Sequence, residues 1–511
     1  MKSTTAIIAL TIAFTLAIAS DVTAAHEFCV SPKGDDSNEG TEQRPFGTLR
    51  RALVAVREIQ DQRTEAVTIS LADGTYYLDK PLVLTAKDSG TEPAPLVIEA
   101  MDGAKPVISG GAKLTLSWQH HEVNIWKAAV PADLSFDQLF VNGKRQHMAR
   151  YPNFDPNVAH FNGYAADAFS AERAANWADP NGGYMHAMHR SMWGDFHYLI
   201  TGKDADGKLQ YEGGWQNNRR SGIHDKYRMV ENIFEELDAP GEWYLDNDKH
   251  VLYFIPPAGV NLEDVIIEVV RLTHLIELKG SQEQPVKWVT LKGLTFRHAS
   301  RTFMDNKEPL LRSDWTTYRG GAVFVDGTED CAIEGCEFDQ VGGNAVFVNK
   351  YNRRVSVRGC HIHHAGANGV AFVGDPNAVR SPLFEYSQRY AYEEIDKEPG
   401  PKTENYPRDC TVEDCLIYLS GRVEKQTAAV QISMARGITV RHCSIYDMPR
   451  AGINISEGTW GGHLVEHCDV FDTVKETGDH GSFNSWGRDR FWRLKDLDLN
   501  DDEVWAKHKN L

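Results

Sequence analysis

A cysteine recurs at the same place in five short, similar units, and this repeat constrains the fold more than any other feature of the sequence. The five cysteines are Cys336, Cys360, Cys415, Cys443 and Cys468. They lie 24, 55, 28 and 25 residues apart. A period in the mid-twenties, with short β-type runs and tight corners, is typical of a solenoid in which each repeat forms one coil. The ladder therefore predicts an all-β chain folded as a parallel β-helix.

The position of these cysteines favours free thiols over disulfide bonds. Five of the eight cysteines occupy equivalent inward positions that are separated by whole coils. A free cysteine packs well as a small buried apolar group, so we expect a buried column of thiols. The sequence contains no CxxC pair, and we predict no metal site and no cofactor.

Residues 1–25 are predicted to be a secretory signal. Lys2 precedes an almost wholly apolar run, which small residues follow as a cleavage site. The run is short for a membrane span, so we predict a secreted or periplasmic protein with no membrane segment after cleavage. The formal net charge of −18 argues against a nucleic-acid partner, which requires a basic surface. The sequence leaves the oligomeric state open.

The rhythm of the repeats predicts the domain organisation. Residues 26–117 should form an N-terminal cap and the first coils, with a helix over residues 49–62 that Thr48 caps. Residues 118–262 lack a coil-length repeat and contain six of the twelve tryptophans, which indicates an inserted β-rich domain. Coils that carry the site should resume over residues 263–495. Residues 496–511 form a charged tail unlike an end cap, which indicates C-terminal truncation.

Two coils carry extra residues at the same corner, and we expect the functional site there. In regular coils the next strand starts about eight residues after the cysteine-bearing strand. Residues 420–427 and 472–480 lengthen this corner in two coils. Because coils stack at about 4.8 Å, the roots of the two insertions should lie about 10 Å apart. That is the width of a sugar-binding cleft.

The second insertion opens the densest polar run in the chain. A carboxylate, an imidazole, an aromatic face and a guanidinium within one run suit a glycosidase subsite. The competing interpretation is a structural corner in which Asp479 caps backbone amides. The predicted substrate-binding residues are His363, Glu476, His480, Asn484, Trp486 and Arg488.

A glycosidase needs two carboxyl groups roughly 5 to 9 Å apart. Asp479 is the first candidate for one of them. The sequence leaves its partner open between Glu424, Glu457, Glu476 and Asp489.

Three histidines precede the same corner one coil before the first insertion. They are His361, His363 and His364. The sequence around them shows no carboxylate pattern typical of a metal site, so we favour His363 as a hydroxyl-binding group.

Several segments resemble glycoside hydrolase family 141, which is related to family 120. The opening residues 28–36 and 45–49 are similar to those of secreted right-handed parallel β-helix proteins. Residues 138–145 and 241–246 resemble the domain inserted in both families. Residues 477–481, which read Thr-Gly-Asp-His-Gly, and residues 484–489 resemble the family 141 core motif. The resemblance implies a right-handed β-helix, a plant cell-wall glycan that contains xylose or fucose, and Asp479 as a catalytic carboxylate.

The leading functional hypothesis is an exported glycoside hydrolase that acts on such a glycan through paired carboxylates. The first alternative is a polysaccharide lyase, since β-helices often carry that chemistry. A lyase would use a Lys or Arg base beside a uronate, often with Ca²⁺ on clustered Asp residues, and the acidic net charge disfavours uronan binding. The second alternative is a non-catalytic carbohydrate-binding β-helix.

Overall fold

A computed structural model of the protein describes residues 26–60, 64–219, 221–311, 315–385, 387–485, 495, 501–503 and 506. The predicted signal over residues 1–25 lies outside the described residues, as do the candidates Trp486, Arg488 and Asp489. The described chain forms a parallel β-helix with three long parallel sheets. The predicted fold class is therefore confirmed in the arrangement of its strands.

The three sheets of the helix run side by side, and each coil adds a strand to them. The first sheet contains His26–Val30, Val67–Leu71, Leu96–Ala100, Val289–Lys292, Ala332–Glu334, Ser356–Arg358, Thr411–Glu413, Thr439–Arg441 and Leu464–Glu466. The second contains Gly74–Tyr77, Pro106–Ser109, Thr295–Arg297, Glu337–Asp339, His361–His363, Leu416–Tyr418, Ser444–Tyr446 and Asp469–Val470. The third contains Leu82–Leu84, Ile276–Lys279, Val286–Lys287, Val323–Glu329, Val346–Arg353, Val370–Val373, Pro407–Arg408, Ala428–Ser433, Ala451–Ile455 and Phe483–Ser485.

Apolar side chains stack along the interior of the helix because the strands pair in register. In the third sheet Val323 pairs with Val346, Val346 with Val370, and Val370 with Val430. All four side chains are fully buried. A buried valine contributes about 1.5–3 kcal/mol relative to an exposed one, so each added coil stabilises its neighbours.

The cysteines of the ladder face the same interior, as the repeat predicts. All eight cysteines of the chain are free thiols, and seven of them are buried. The thiols of the five ladder cysteines lie in contact from each coil to the next. The constant cysteine position therefore marks the interior of successive coils.

One helix, Leu49–Glu58, packs at the first coils. It is shorter than the predicted span of residues 49–62. Thr48 caps it as predicted, since its side chain accepts a hydrogen bond from the Arg51 N–H at 3.1 Å. The helix buries Leu49, Leu53 and Val56 with the interior of the β-helix.

Mostly antiparallel sheets lie between the early and the later coils. We refer to the segment from Gln119–Glu122 through Val251–Phe254 as the insert. The strands of its two five-stranded sheets are Gln119–Glu122, Ile125–Ala129, His147–Met148, Glu242–Asp246 and Val251–Phe254 in one, and Arg150–Tyr151, Tyr184–His189, Asp195–Lys203, Leu209–Gly213 and Ile223–Glu231 in the other. A four-stranded sheet joins the insert to the coils through Gly111–Leu114, Leu139–Val141, Lys144–Arg145 and Ile267–Val270. The exact domain boundaries stay a prediction.

The other named elements among the described residues are short. They are the helix Ala171–Ala174, the 3₁₀ turns Ala86–Asp88, His160–Asn162, Phe234–Glu236, Pro376–Ala378 and Tyr392–Glu394, and the strand pair Glu308–Pro309 and Thr316–Thr317. Within the described part of the chain, no helix combines the length and the apolar character that crossing a bilayer requires.

Candidate functional site

A cavity of about 590 Å³ lies where the insert meets the corners of the β-helix. We call it the central cavity. The corner at residues 420–427 supplies Arg422, and the corner at residues 472–480 supplies Lys475 and Glu476. The carboxylates that line the cavity are Asp137, Glu231, Asp447 and Glu476. Its size suits a ligand of a few sugar units.

Glu231, at the end of the strand Ile223–Glu231, is the best-defined carboxylate of the cavity. Its Oε1 accepts from an Arg301 Nη1 at 2.5 Å and from His186 Nε2 at 3.2 Å. Arg301 also holds Asp137, with 2.8 Å between Nε and Oδ2. Burial works against ionisation of Glu231, but Arg301 and His186 outweigh it and hold its pKa well below the usual range. The cavity therefore contains a carboxylate that is ionised at neutral pH.

Two histidines connect Glu231 to a second buried carboxylate. His186 Nδ1 lies 2.5 Å from His197 Nδ1, and His197 Nε2 lies 3.0 Å from Asp195 Oδ2. Burial lowers the pKa of His186 to about 4, so a neutral ring donates its Nε2–H to Glu231. The Nδ1 of His186 then accepts a hydrogen bond from His197. These contacts fix the orientation of the His186 ring against Glu231.

The two lengthened corners meet through a buried ion pair. Lys425 Nζ lies 3.0 Å from Glu476 Oε1, and both side chains are almost fully buried. Arg422 approaches the same oxygen at 3.4 Å. The other oxygen of Glu476 accepts the Phe161 N–H of the insert at 2.8 Å. Glu476 therefore ties both corners to the insert.

Two further arginines from the insert add positive charge to the cavity wall. Arg145 donates to the Gln340 carbonyl, and Arg150 donates to the carbonyls of Phe161 and Gly163. Burial lowers the pKa of both guanidinium groups to about 10. Side chains of both signs therefore line the cavity, although the whole chain is acidic.

The structure places Asp479 on the outer side of the second corner. Its side chain is exposed, and its Oδ1 accepts the His480 N–H at 2.7 Å. The neighbouring Gly478 N–H donates to the Met192 carbonyl of the insert at 2.7 Å. His480 contacts the guanidinium of Arg450, with 2.7 Å between Nη2 and Nε2. Asp479 and His480 do not belong to the lining of the central cavity.

The structure places Glu424 and Glu457 in separate buried polar environments. Glu424 accepts from Thr302 at 3.2 Å and from the Asn306 amide. Glu457 accepts from the Ser433 hydroxyl at 3.0 Å and from the Met434 N–H. Burial raises the pKa of both carboxyl groups to about 7. Neither residue lines the central cavity.

The other predicted binding residues are distributed over two sheets. His363 lies on the second sheet beside Asp339, which the register pairs with it. Asn484 lies on the third sheet and donates to Asn454 at 2.6 Å, while Asn454 donates to Gln431 at 2.8 Å. Of the predicted site residues that the structure describes, Glu476 alone lines the central cavity.

Sequence reasoning missed the residues at the centre of the cavity. They are Asp137, Arg145, His186, Glu231 and Arg301. Four of them precede the resumed coils, where no repeat gives a register. His186 and His189, within the mostly apolar and buried strand Tyr184–His189, are the local signal that could have identified a buried polar site.

A family model described as "Right handed beta helix region" matches residues 276–487. This confirms the predicted right-handed parallel β-helix. In Bacillus subtilis (strain 168), the protein named YwoF, described as uncharacterized, is 28% identical over 155 residues. The matched stretch covers 26% of this chain and 31% of that protein, so the similarity spans about a third of the relative.

A solved structure described as "Glycoside hydrolase" superposes over most of the chain. Its TM-score is 0.73 at 23% identity, and the match covers 91% of this chain and 86% of the other. At this identity the similarity establishes a shared fold. Because the match covers 91% of this chain, it includes both the coils and the insert. The same combination of β-helix and insert therefore occurs in that protein.

Proposed function

We propose that this protein is an exported glycoside hydrolase that binds a plant-type glycan in the central cavity and cleaves it with paired carboxylates. The observation that carries the proposal is the ionised Glu231 among three other carboxylates in a cavity of about 590 Å³. The solved structure of similar fold is itself described as a glycoside hydrolase. The resemblance to family 141 supports a substrate that contains xylose or fucose.

The chemistry requires one carboxylate that is ionised and one carboxyl group that gives a proton. Glu231 suits the first role, as nucleophile or as base for water, because Arg301 and His186 hold it ionised. Asp137 and Asp447 line the same cavity and are candidates for the acid that protonates the leaving oxygen. Asp479 remains a candidate on the resemblance of its motif, at a position outside this cavity.

The test compares substitutions of two carboxylates in the full-length protein. We expect Glu231→Gln to reduce release of reducing sugar from xylans or fucosylated oligosaccharides by at least about 100-fold, since a catalytic carboxylate has been lost. Glu212→Gln, at an exposed position of the insert, should retain the activity. Thermal unfolding of each variant controls for loss of the fold.

The Asp479→Asn variant distinguishes the two positions. If activity is lost in Asp479→Asn and retained in Glu231→Gln, the catalytic site lies at Asp479, on the outer side of the corner at residues 472–480, and not in the central cavity. Absence of hydrolysis in a folded wild-type chain, on a broad panel of glycans, would contradict a hydrolase. Binding without turnover would then favour the carbohydrate-binding alternative.

One observation favours a polysaccharide lyase as a second candidate. Arg145 lines the cavity, and burial together with Arg301 lowers its pKa to about 10. An arginine of lowered pKa could take the proton beside a uronate carboxylate. A lyase would release unsaturated sugars that absorb in the ultraviolet, and Arg145→Gln should abolish this product.

A further inference from the structure

A cluster of imidazoles and carboxylates lies on the second sheet, at the corner beside the central cavity. The strands Glu337–Asp339 and His361–His363 are neighbours in adjacent coils, and their register pairs Glu337 with His361 and Asp339 with His363. Side chains at paired positions of adjacent parallel strands project to the same face, about 4.8 Å apart. The carboxylates that the local sequence around the histidines lacks are thus supplied by the preceding coil.

Three possible ligand atoms of this cluster lie close together. His363 Nδ1 lies 2.9 Å from His364 Nδ1 and 3.4 Å from Asp339 Oδ1. All three ligand atoms lie within 4.8 Å of one another. In a tetrahedral zinc site with bonds of about 2.0–2.1 Å, neighbouring ligand atoms are about 3.3 Å apart. The two measured separations lie on either side of that value.

Neighbouring side chains hold the outer atoms of Asp339 and His363. The second oxygen of Asp339 is held by Arg297 at 2.5 Å and by the Gln340 amide at 3.3 Å. The other nitrogen of His363, Nε2, lies 3.2 Å from Glu337 Oε1. A ligating histidine usually donates its second N–H to a carboxylate in this way, and a ligating carboxylate is usually hydrogen-bonded at its other oxygen.

We propose that Asp339, His363 and His364 form a binding site for one divalent transition-metal ion of the zinc class. Asp339 and His363 are buried, and His364 lines the central cavity. A fourth coordination position would therefore face the cavity, where water or an oxygen of a bound ligand could occupy it. The positive charges of Arg297, Arg145 and Arg422 oppose an ion here, and the carboxylates of Asp339 and Glu337 act against them.

A second group in the cluster also contains three possible ligands, Glu337, His361 and His363. Its members are less favourable for a fixed ion. His361 Nδ1 lies 3.8 Å from Glu337 Oε1, and both side chains are more than a third exposed. We therefore assign the ion to the buried group and Glu337 to the hydrogen bond with His363.

The test uses the full-length protein, stripped of metal with a chelator and then titrated with zinc ions. We expect one equivalent of Zn²⁺ to bind, as elemental analysis after dialysis would show. Bound Zn²⁺ should also raise the thermal unfolding temperature, which calorimetry measures. Co²⁺ in place of Zn²⁺ should give the intense visible absorption of a four-coordinate site.

Matched variants locate the ion. His364→Gln and Asp339→Asn should each weaken Zn²⁺ binding by at least about 10-fold, the size of effect that the loss of even an outer-shell partner produces. His361→Asn removes a histidine of the same cluster and should retain binding, as should His442→Asn at an exposed histidine beside Asp414. His364 is only partly buried, and its ring contacts those of His363 and Tyr418, so its variant should stay folded.

Three outcomes would overturn the assignment. The first is no Zn²⁺ binding to the folded wild-type chain. The second is binding that His364→Gln and Asp339→Asn leave unchanged. The third is binding that His361→Asn removes while His364→Gln does not. These readouts do not depend on turnover, so their failure is distinguishable from a failure of the proposed hydrolase activity.

Discussion

Glu424 shows how one buried residue can make the stability of the protein depend on pH. Its carboxyl group accepts hydrogen bonds from Thr302 and Asn306 and lies near Asp195. Burial raises its pKa to about 7, so the protonated form is favoured in the folded state. An unfolded chain exposes the group to water, where its pKa is about 4.3.

The Glu424→Gln variant should remove the part of the pH dependence that Glu424 contributes. For a carboxyl group whose folded pKa is raised, the stabilisation is fully present below the unfolded pKa and is lost as the pH rises through the folded value. The free energy of unfolding of the wild type should fall by about 1.4 kcal/mol per pH unit between these pKa values because of this group. Urea unfolding from pH 4 to pH 8 should show a flatter profile in the variant.

Glu122→Gln, at an exposed position of the insert, is the control for this comparison and should follow the wild type. Glu457 has a pKa raised to about 7 by burial as well, so part of the slope should persist in the Glu424 variant. Parallel profiles for wild type and Glu424→Gln would contradict the raised pKa.

The residues at the centre of the cavity could not be predicted because their partners are distant in sequence. Glu231 pairs with His186 and Arg301, which are 45 and 70 residues away. An antiparallel segment has no repeat from which such a pairing can be counted. In the coils, by contrast, the pairing of Asp339 with His363 follows from the repeat length of 24 residues, once the strands are aligned.

At the scale of elements, the two lengthened corners act as one unit because Lys425 and Glu476 connect them. The sequence predicts both corners, since their extra residues interrupt a constant coil length. Their contacts with the insert could not be predicted, because the Phe161 N–H and the Met192 carbonyl are backbone groups with no signature in the side-chain pattern. The capping helix ends at Glu58, several residues before its predicted end.

Removing only the carboxylate of this corner pair should destabilise the protein strongly. Glu476→Gln leaves the buried cation of Lys425 without its anion, which typically costs about 3–5 kcal/mol. The double variant Lys425→Met/Glu476→Gln should recover a large part of that loss, because neither charge of this pair remains buried. Urea unfolding of the two single variants and the double variant measures the coupling energy.

An exposed ion pair is the matched control for the corner. Glu39 lies 2.9 Å from Arg44, and both side chains are about 60% exposed. Glu39→Gln should leave the unfolding free energy nearly unchanged. Losses that simply add in the Lys425/Glu476 double variant would show that the two side chains do not stabilise each other.

At the scale of the whole molecule, reaction of the buried thiols with a labelling reagent should indicate unfolding of the β-helix. In the column, the neighbouring Cys360 thiol and burial raise the pKa of Cys415 to about 12. Burial raises the pKa of Cys331 and Cys410, outside the column, to about 12 as well, so none of these forms the reactive thiolate at neutral pH. A thiol reagent at pH 8 should therefore label the native protein slowly and the urea-unfolded protein at all eight cysteines. Because Cys468 is only partly buried, it should react first, as mass spectrometry of labelled peptides would reveal.

Rapid labelling of several cysteines in the native protein would contradict a closed interior. A Cys468→Ser variant, in which the first-reacting thiol is absent, should delay the onset of labelling while the remaining seven cysteines react only after unfolding.

The same column makes correct folding sensitive to oxidation of the unfolded chain. In the folded protein, neighbouring coils shield the buried ladder thiols of Cys336, Cys360, Cys415 and Cys443. In a chain that is still extended, five cysteines spaced by 24 to 55 residues can bridge one another in wrong pairs, and a bridged coil cannot close. In an oxidising environment the coils must therefore form before their thiols are oxidised. The yield of correctly folded protein then depends on the rate of coil formation relative to the rate of thiol oxidation.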